Sequence, residues 1–529
     1  MNISKKIIEN LLLYNNANHI LYELNSIPGK EIAEKIVTLA TCLRSTGKFR
    51  CGDRVILIMN DSPEFIYSFL SLISIGCIPV PLNPLIQDSE LEYILLDSKA
   101  IGAIIDYQQY LRLYNVIHNS SYYIINECIV VNNPLVKEYG SINYLQKFLF
   151  PQNFCNGSSG LEFVYEENNL IAFWQYTSGT TGNPKAVQHR HPTMLTNTEL
   201  FAQKTLGIFK EDIIMSVSKM FFGYGLGNSL FFPLITGASV IIDEKWFTVD
   251  NLKKNIRLYK PTILFGTPKV YSEILHQQES FSKNEFNSIR LFISAGSSLP
   301  ESITREWEIV FGKTIINGIG STEIGHIFMC NYQLKEQSEN SSLGVPVPGY
   351  NIKISKINTP DETIENYGEI GELCIHPPKS TLSSYWEKEE TNKIKYKKGW
   401  YFSGDLCSQN EDGSYLYHGR KDDLFKINGR WVNPLEIENY VLQNFKQINE
   451  CANIYHLDDD NLARSVLYLV GKSGSATRVL SDEIQKKLSE NFPSYKRPST
   501  IYFIKELIRN SNGKVNRKRL ENNLTNSNY

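Results

Sequence analysis

Short apolar runs alternate with longer helical stretches through the first four hundred residues. Residues 54–59, 101–105, 239–242 and 262–265 are dense in Val, Ile, Leu and Phe and read as strands. That alternation predicts an α/β fold, with layered subdomains built on parallel sheet. From Gly368 the spacing shortens, with strands over 371–375 and 414–417 and a turn at Glu411-Asp412-Gly413. This predicts a β-rich lobe completing a large N-terminal domain. The pattern changes again near Arg420. Beyond it, a helix over 434–445, a strand over 465–471, a helix over 481–491 and a strand over 500–503 predict a small α+β domain. The expected domains are therefore 1–420 and 421–529. Residues 118–166, rich in Asn, Ser and Tyr, show no clear period, and the polar tail 521–529 predicts a frayed end.

The run 65–82 is almost wholly apolar and about the length of a membrane span. It carries Ser68, Ser71, Ser74 and Gly76, and Asp61-Ser62-Pro63 before it is a helix start. A buried helix followed by a short strand over 77–81 is the expectation, with no membrane partner.

Composition narrows the class without naming a substrate. The 529 residues exceed one ordinary core. With 54 Lys+Arg against 56 Asp+Glu, nothing predicts a nucleic-acid surface. The nine cysteines are scattered with no CxxC pair and no metal-site spacing, which predicts reduced thiols in a cytoplasmic protein. The N-terminus lacks a secretion pattern, since Glu9 and Asn10 break its apolar stretch. A homodimer is left open.

The first chemistry-bearing segment follows a strand over 171–176. In Tyr176-Thr-Ser-Gly-Thr-Thr-Gly-Asn-Pro-Lys185, Gly179 and Gly182 let backbone N–H groups converge on an anion. Hydroxyls of Thr177, Ser178, Thr180 and Thr181 add donors, and Lys185 adds charge. Such a loop can cradle a polyphosphate. Its glycine spacing is not that of the P-loop, and Ser/Thr/Gly clusters also make plain loops.

This segment resembles the phosphate loop of the adenylate-forming superfamily, which includes acyl-CoA synthetases, peptide-synthetase adenylation domains and beetle luciferase. Further segments resemble that family's motifs in order: Ser294-Ala-Gly-Ser-Ser-Leu-Pro300, Asn317-Gly-Ile-Gly-Ser-Thr-Glu323, Trp400-Tyr-Phe-Ser-Gly-Asp405, His418-Gly-Arg420, Lys426-Ile-Asn-Gly-Arg430 and Arg509-Asn-Ser-Asn-Gly-Lys514-Val-Asn-Arg517. The resemblance implies ATP, Mg²⁺ and CoA, or a carrier-protein phosphopantetheine in place of CoA. It places Gly296, Ser297, Asn317 and Gly318 at the adenine, Thr322 at the α-phosphate, Glu323 on Mg²⁺, and Asp405 and Arg420 at the ribose. Lys426 would reach the adenylate, and Lys514, with Thr322 and Glu323, would serve the reacting centre. Gly429 and Arg430 would border a pantetheine tunnel, and Asp422 would be the hinge of a mobile C-terminal domain. Two departures stand out: Ala186 follows Lys185 where glycine is commoner, and Asn510-Ser-Asn replaces the usual Thr-Pro-Ser before the terminal glycine.

Lys219-Met-Phe-Phe-Gly-Tyr-Gly-Leu-Gly-Asn228 and Gly325-His-Ile-Phe328 resemble the benzoate-CoA ligase branch. That resemblance lines an acid pocket with Phe222, Gly223, Tyr224, Gly225, His326 and Ile327, over a floor of Ala295, Gly296 and Gly320. Aromatic and small residues make a short flat slot suited to an aryl ring. No Asp or Glu lies between Lys219 and Pro233 to meet an α-ammonium, which argues against an amino acid, as does the lack of a carrier domain after Arg517. The expected function is activation of a benzoate- or cinnamate-like acid to acyl-AMP, followed by transfer to CoA. Loading of a carrier protein by a stand-alone adenylating enzyme is the alternative. Non-catalytic adenylate binding is a second, disfavoured by the joint presence of Lys185, Thr322, Glu323, Asp405, Arg420 and Lys514.

Overall fold

The structure, a computed structural model, describes residues 2–14, 18–118, 125, 127–131, 143–144, 170–177, 183–282, 284–332, 342–357, 359, 362–427, 430–457, 463–472, 478–509 and 515–526. Segments of the predicted phosphate loop (Ser178, Gly179, Thr180, Thr181, Gly182), Gly429 and Lys514 lie outside these, as does most of the irregular stretch 118–166.

Among the described residues, the largest sheet has nine strands. Its centre is parallel: Asn18–Tyr22, Ser239–Ile241, Ile213–Ser216, Ile263–Gly266, Leu291–Ser294 and Ile315–Gly320 lie side by side in that order. The strand Ile263–Gly266 is buried along its whole length, as expected when helices cover both faces of a parallel sheet. Antiparallel strands close both edges, Asn25–Pro28 on one side and Ile327–Cys330 with Val345–Pro346 on the other. A second, all-parallel sheet runs Ile78–Pro81, Arg54–Ile58, Gly102–Asp106, Glu127–Val131, Asn143–Tyr144.

The apolar run resolves as expected. The Ser62 hydroxyl caps the helix Pro63–Ser74 by accepting from Phe65 N–H at 3.2 Å, and Pro63 sits where its missing N–H costs nothing. Gly76, at φ 81°, turns the chain into the strand Ile78–Pro81. Phe65 and Phe69 stack at 6.0 Å, and Phe69 reaches Phe173 and Phe231. Each fully buried ring contributes about 1.5–3 kcal/mol, so packing against protein accounts for this helix. No helix among the described residues is long and apolar enough to cross a membrane.

The β-rich lobe is antiparallel, with Asn351–Ser355, Gly371–His376 and Trp400–Gln409 in register and Tyr415–Arg420 folded back on Trp400–Gln409. The turn between the last two strands carries Gly413 at φ 84°, a conformation that needs glycine. The small C-terminal domain has its own core. Ile437 and Val441 of helix Pro434–Asn444 pack with Leu467 and Leu469 of strand Ala463–Gly471 and with Ile484 and Leu488 of helix Arg478–Asn491. One expectation fails at the end of the chain: the backbone is helical over Arg517–Asn526 rather than frayed from 521. Leu520 is buried beside Ala452 and Ile454, and that anchor lets a polar segment hold helical turns. Of the nine cysteines, eight are described and all eight are free.

Candidate active site

Parallel sheets offer ligands the crevice beyond the carboxyl ends of their strands. Three of four adjacent strands of the large sheet end in predicted site segments. Ile213–Ser216 leads to the turn with Lys219 to Gly225, Leu291–Ser294 to Ala295 and Gly296, and Ile315–Gly320 to Thr322 and Glu323. Ile263–Gly266 lies between the first two.

Asn317 is buried at the sheet core and spends its side-chain amide on the Ser342 carbonyl at 3.1 Å. A Cβ on Gly318 would crowd the Ile327 side chain at 3.0 Å. Gly296, at φ 94°, and Ser297 are exposed on the turn beyond the neighbouring strand. Residues 321–325 form a turn, not the helix N-terminus that Ser-Thr-Glu would otherwise suggest. The Ile324 N–H meets the Ser321 hydroxyl at 3.3 Å, and Gly325 takes φ 91°.

That turn buries Glu323, whose Oε1 accepts the Tyr385 hydroxyl at 2.6 Å. Ser383 donates to the Glu323 carbonyl and meets Tyr396 at 2.9 Å. Burial, then the Glu323 charge, pushes the Tyr385 hydroxyl far above its ordinary range, so it is a permanent donor. Tyr385 belongs to the short strand Ser384–Tyr385, paired with Lys185–Arg190. The Lys185 ammonium lies 5.9 Å from the Tyr385 ring centre, and Thr177 is in register with Lys185. The two ends of the predicted phosphate loop are thus pinched together beside the residue that holds Glu323.

Antiparallel register brings Asp405 opposite Arg420, and the Arg420 Nε–H donates to Asp405 Oδ1 at 3.0 Å. Asp405 raises the Arg420 pKa far above an already high value. Tyr417 donates to the same carboxylate at 3.5 Å. Lys426 and Arg430 lie on the strands Phe425–Ile427 and Arg430–Val432 of a hairpin just past Asp422, with the Arg430 guanidinium 5.1 Å over Tyr495.

Several residues assigned to the predicted acid pocket lie close together. Tyr224 and His326 rings lie 5.5 Å apart, and Tyr224 reaches the Ile293 carbonyl at 3.3 Å. A Cβ on Gly225 would meet the Lys219 carbonyl oxygen at 2.1 Å, one on Gly227 would strike the His326 ring, and one on Gly320 would meet the His326 carbonyl at 2.8 Å. Phe222 packs on Phe221 at 4.2 Å, and Gly223 lies against the Gln175 side chain. Ala295 and Ile327 are buried. His326 stands 3.1 Å from Asn228 Oδ1, and burial lowers its pKa to about 3, so the ring is neutral.

Tyr385, Tyr417 and Ser383 escape sequence reasoning. A Tyr within a Ser-rich stretch carries no local signal, and only strand pairing brings it to Glu323.

This geometry places the predicted site segments at strand carboxyl ends of an α/β fold, with a small second domain beyond. The "AMP-binding enzyme" family model matches residues 14–386, and its C-terminal-domain model matches 436–514. The chain is 32% identical to an anthranilate–CoA ligase of Pseudomonas aeruginosa over 89% of this chain and 86% of that protein. It is also 32% identical to a benzoate–CoA ligase of Thauera aromatica, over 93% and 89%. The crystal structure of an anthranilate CoA ligase in complex with anthranoyl-AMP superposes with a TM-score of 0.89 at 28% identity, covering 99% of this chain and 97% of that one. The chain belongs to the AMP-binding enzyme family.

Proposed function

We propose that this chain is an aryl acid–CoA ligase. An oxygen of the aryl carboxylate attacks the α-phosphorus of ATP, pyrophosphate leaves, and the acyl-AMP stays bound. The sulfur of CoA then attacks the acyl carbon, AMP departs with the electron pair, and a thioester remains. The observation that supports this reading is the grouping of Tyr224 and His326 with Gly225, Gly227 and Gly320: an aromatic, glycine-lined surface whose histidine is neutral, three residues along the chain from Glu323. An aryl ring fits such a surface, whereas an ammonium would find no counter-charge in it.

The remaining roles are those the family resemblance implies, and their chemistry is consistent with it. Asp405, steadied by Arg420 and Tyr417, is an acceptor suited to ribose hydroxyls. Asn317, Gly318, Gly296 and Ser297 would flank the adenine. Thr177, Lys185 and the loop between them would hold the β- and γ-phosphates, and Thr322 the α-phosphate. Lys514, assisted by Lys426, would offset charge developing between carboxylate and α-phosphate. Glu323 is the residue to hold Mg²⁺, which when bound screens the phosphate oxygens. The buried Glu323 carboxylate supplies a hard oxygen donor, the kind suited to a cation shared with substrate phosphates. The chain divides at 420/421, Asp422 is the hinge, and Gly429 with Arg430 would border the pantetheine arm.

The test is product analysis by mass spectrometry with benzoate, anthranilate and hydroxybenzoates plus MgATP, offering free CoA or a holo-carrier protein as acceptor. Aryl-CoA, AMP and pyrophosphate are expected. A thioester formed only on the carrier would replace CoA as acceptor, and nucleotide binding without any product would reduce the chain to a binder.

A further inference from the structure

Asp97 lies in the last turn of the helix Asp88–Ser98 and belongs to no predicted site motif. Its carboxylate is nearly enclosed and accepts three donors. The Tyr176 hydroxyl reaches Oδ2 at 2.8 Å, the Lys388 ammonium reaches Oδ1 at 2.9 Å, and the Tyr93 hydroxyl reaches Oδ1 at 3.3 Å. The Asp97 carbonyl accepts the Trp386 indole N–H at 3.1 Å. One residue thereby grips two strands. Tyr176 precedes Thr177, which pairs with Lys185 at the base of the phosphate loop. Trp386 and Lys388 follow Tyr385, the donor to Glu323, and the Trp386 backbone N–H donates to the Ala186 carbonyl at 3.0 Å.

The surroundings make this grip stiff. Trp174 and Trp386 pack at 4.9 Å, with the Arg54 guanidinium 5.8 Å from each ring. Burial, then the Asp97 charge, raises the Tyr176 hydroxyl far above its ordinary range, so it can only donate. A carboxylate with three donors fixes position more firmly than a neutral acceptor, because charge-assisted hydrogen bonds are shorter and stronger.

We infer that Asp97 is a positioning residue for nucleotide binding: its carboxylate sets the distance between the phosphate-gripping strands at Thr177 and Lys185 and the Tyr385–Glu323 pair. This rests on the proposed function for what binds there, but its test does not need turnover. Calorimetric titration of MgATP without acid is compared for the wild type, Asp97→Asn, Asp97→Ala and Tyr176→Phe. Asp97→Ala is expected to weaken binding roughly ten- to hundredfold, the equilibrium equivalent of one hydrogen bond to a charged group. Asp97→Asn and Tyr176→Phe should lose less. In turnover, the KM for ATP should rise while the KM for the acid stays within about threefold, and CoA thiolysis of supplied acyl-AMP should stay within about twofold. A damaged fold would depress both half-reactions alike, and that result overturns the inference. So does MgATP affinity unchanged in Asp97→Ala. Weakened binding in a protein that turns over no aryl acid would support the inference while refuting the ligase reading.

Discussion

Asp61 follows the strand Arg54–Ile58 of the all-parallel sheet and bonds to the turn before Phe222, and its charge is held at a cost. The side chain is 4% exposed, and its Oδ1 accepts the Met220 N–H at 2.9 Å, two residues before Phe222. Burial is the largest influence and raises the pKa from 3.8 to about 6, against the opposing pull of Lys219 and the Met220 N–H and with added repulsion from Asp243 and Glu244. At pH 8 the ionised native carboxylate destabilises the fold relative to the unfolded chain by about 3 kcal/mol, at roughly 1.4 kcal/mol per unit. The sign follows from proton binding. Between pH 4 and 6 the native state holds more protons than the unfolded state, so stability falls as pH rises through that window. Asp61→Asn keeps an oxygen for Met220 and removes the charge. It should stabilise the N-terminal domain by up to about 3 kcal/mol at pH 8, with the gain shrinking through pH 6 and vanishing near pH 4. Urea unfolding followed by tryptophan fluorescence across that range measures the difference. A variant less stable than wild type at pH 8, or a gain that does not depend on pH, would refute the reasoning.

Three further outcomes follow from the site. Gly225→Ala places a methyl 2.1 Å from a backbone oxygen, so the turn must move; the KM for the acid should rise at least about tenfold, whereas Gly223→Ala, which meets only a Gln175 side chain, should be milder. Tyr385→Phe removes the donor on Glu323 and should raise the Mg²⁺ concentration needed for half-maximal exchange by about tenfold or more, read from a magnesium titration at fixed ATP. Lys514→Ala should nearly abolish adenylation and spare CoA thiolysis of supplied acyl-AMP, while Asp422→Pro should do the reverse; equal loss in both halves would count against a rotating C-terminal domain.

The sheet architecture was legible because parallel strands buried on both faces advertise themselves as apolar runs. Residues 54–58, 102–105 and 263–265 lie in such strands as the pattern predicts, and the half-buried 500–503 is a strand as well. The helix Pro63–Ser74 was readable from Ser62 and Pro63 despite its membrane-like length. Asp405 and Arg420 could be picked out as candidates because each carries its own flanking pattern, and strand register pairs them. Tyr385 and Asp97 could not. Their importance lies in contacts with Glu323 and Tyr176, 62 and 79 residues away along the chain, and local pattern holds no information about such pairings. The helical end at Arg517–Asn526 was missed for a similar reason, since one buried Leu520 outweighs the polar composition around it.

The central claim is that this chain joins an aryl carboxylate to AMP. Acid-dependent exchange of labelled pyrophosphate into ATP, measured with a panel of benzoate, anthranilate, hydroxybenzoates, cinnamate, an aliphatic acid and an α-amino acid, tests it most directly. Exchange driven by the aryl acids, absent without acid and at least about tenfold weaker with the α-amino acid, is the predicted result. Exchange with no member of the panel, or with the amino acid in preference to the aryl acids, would contradict it.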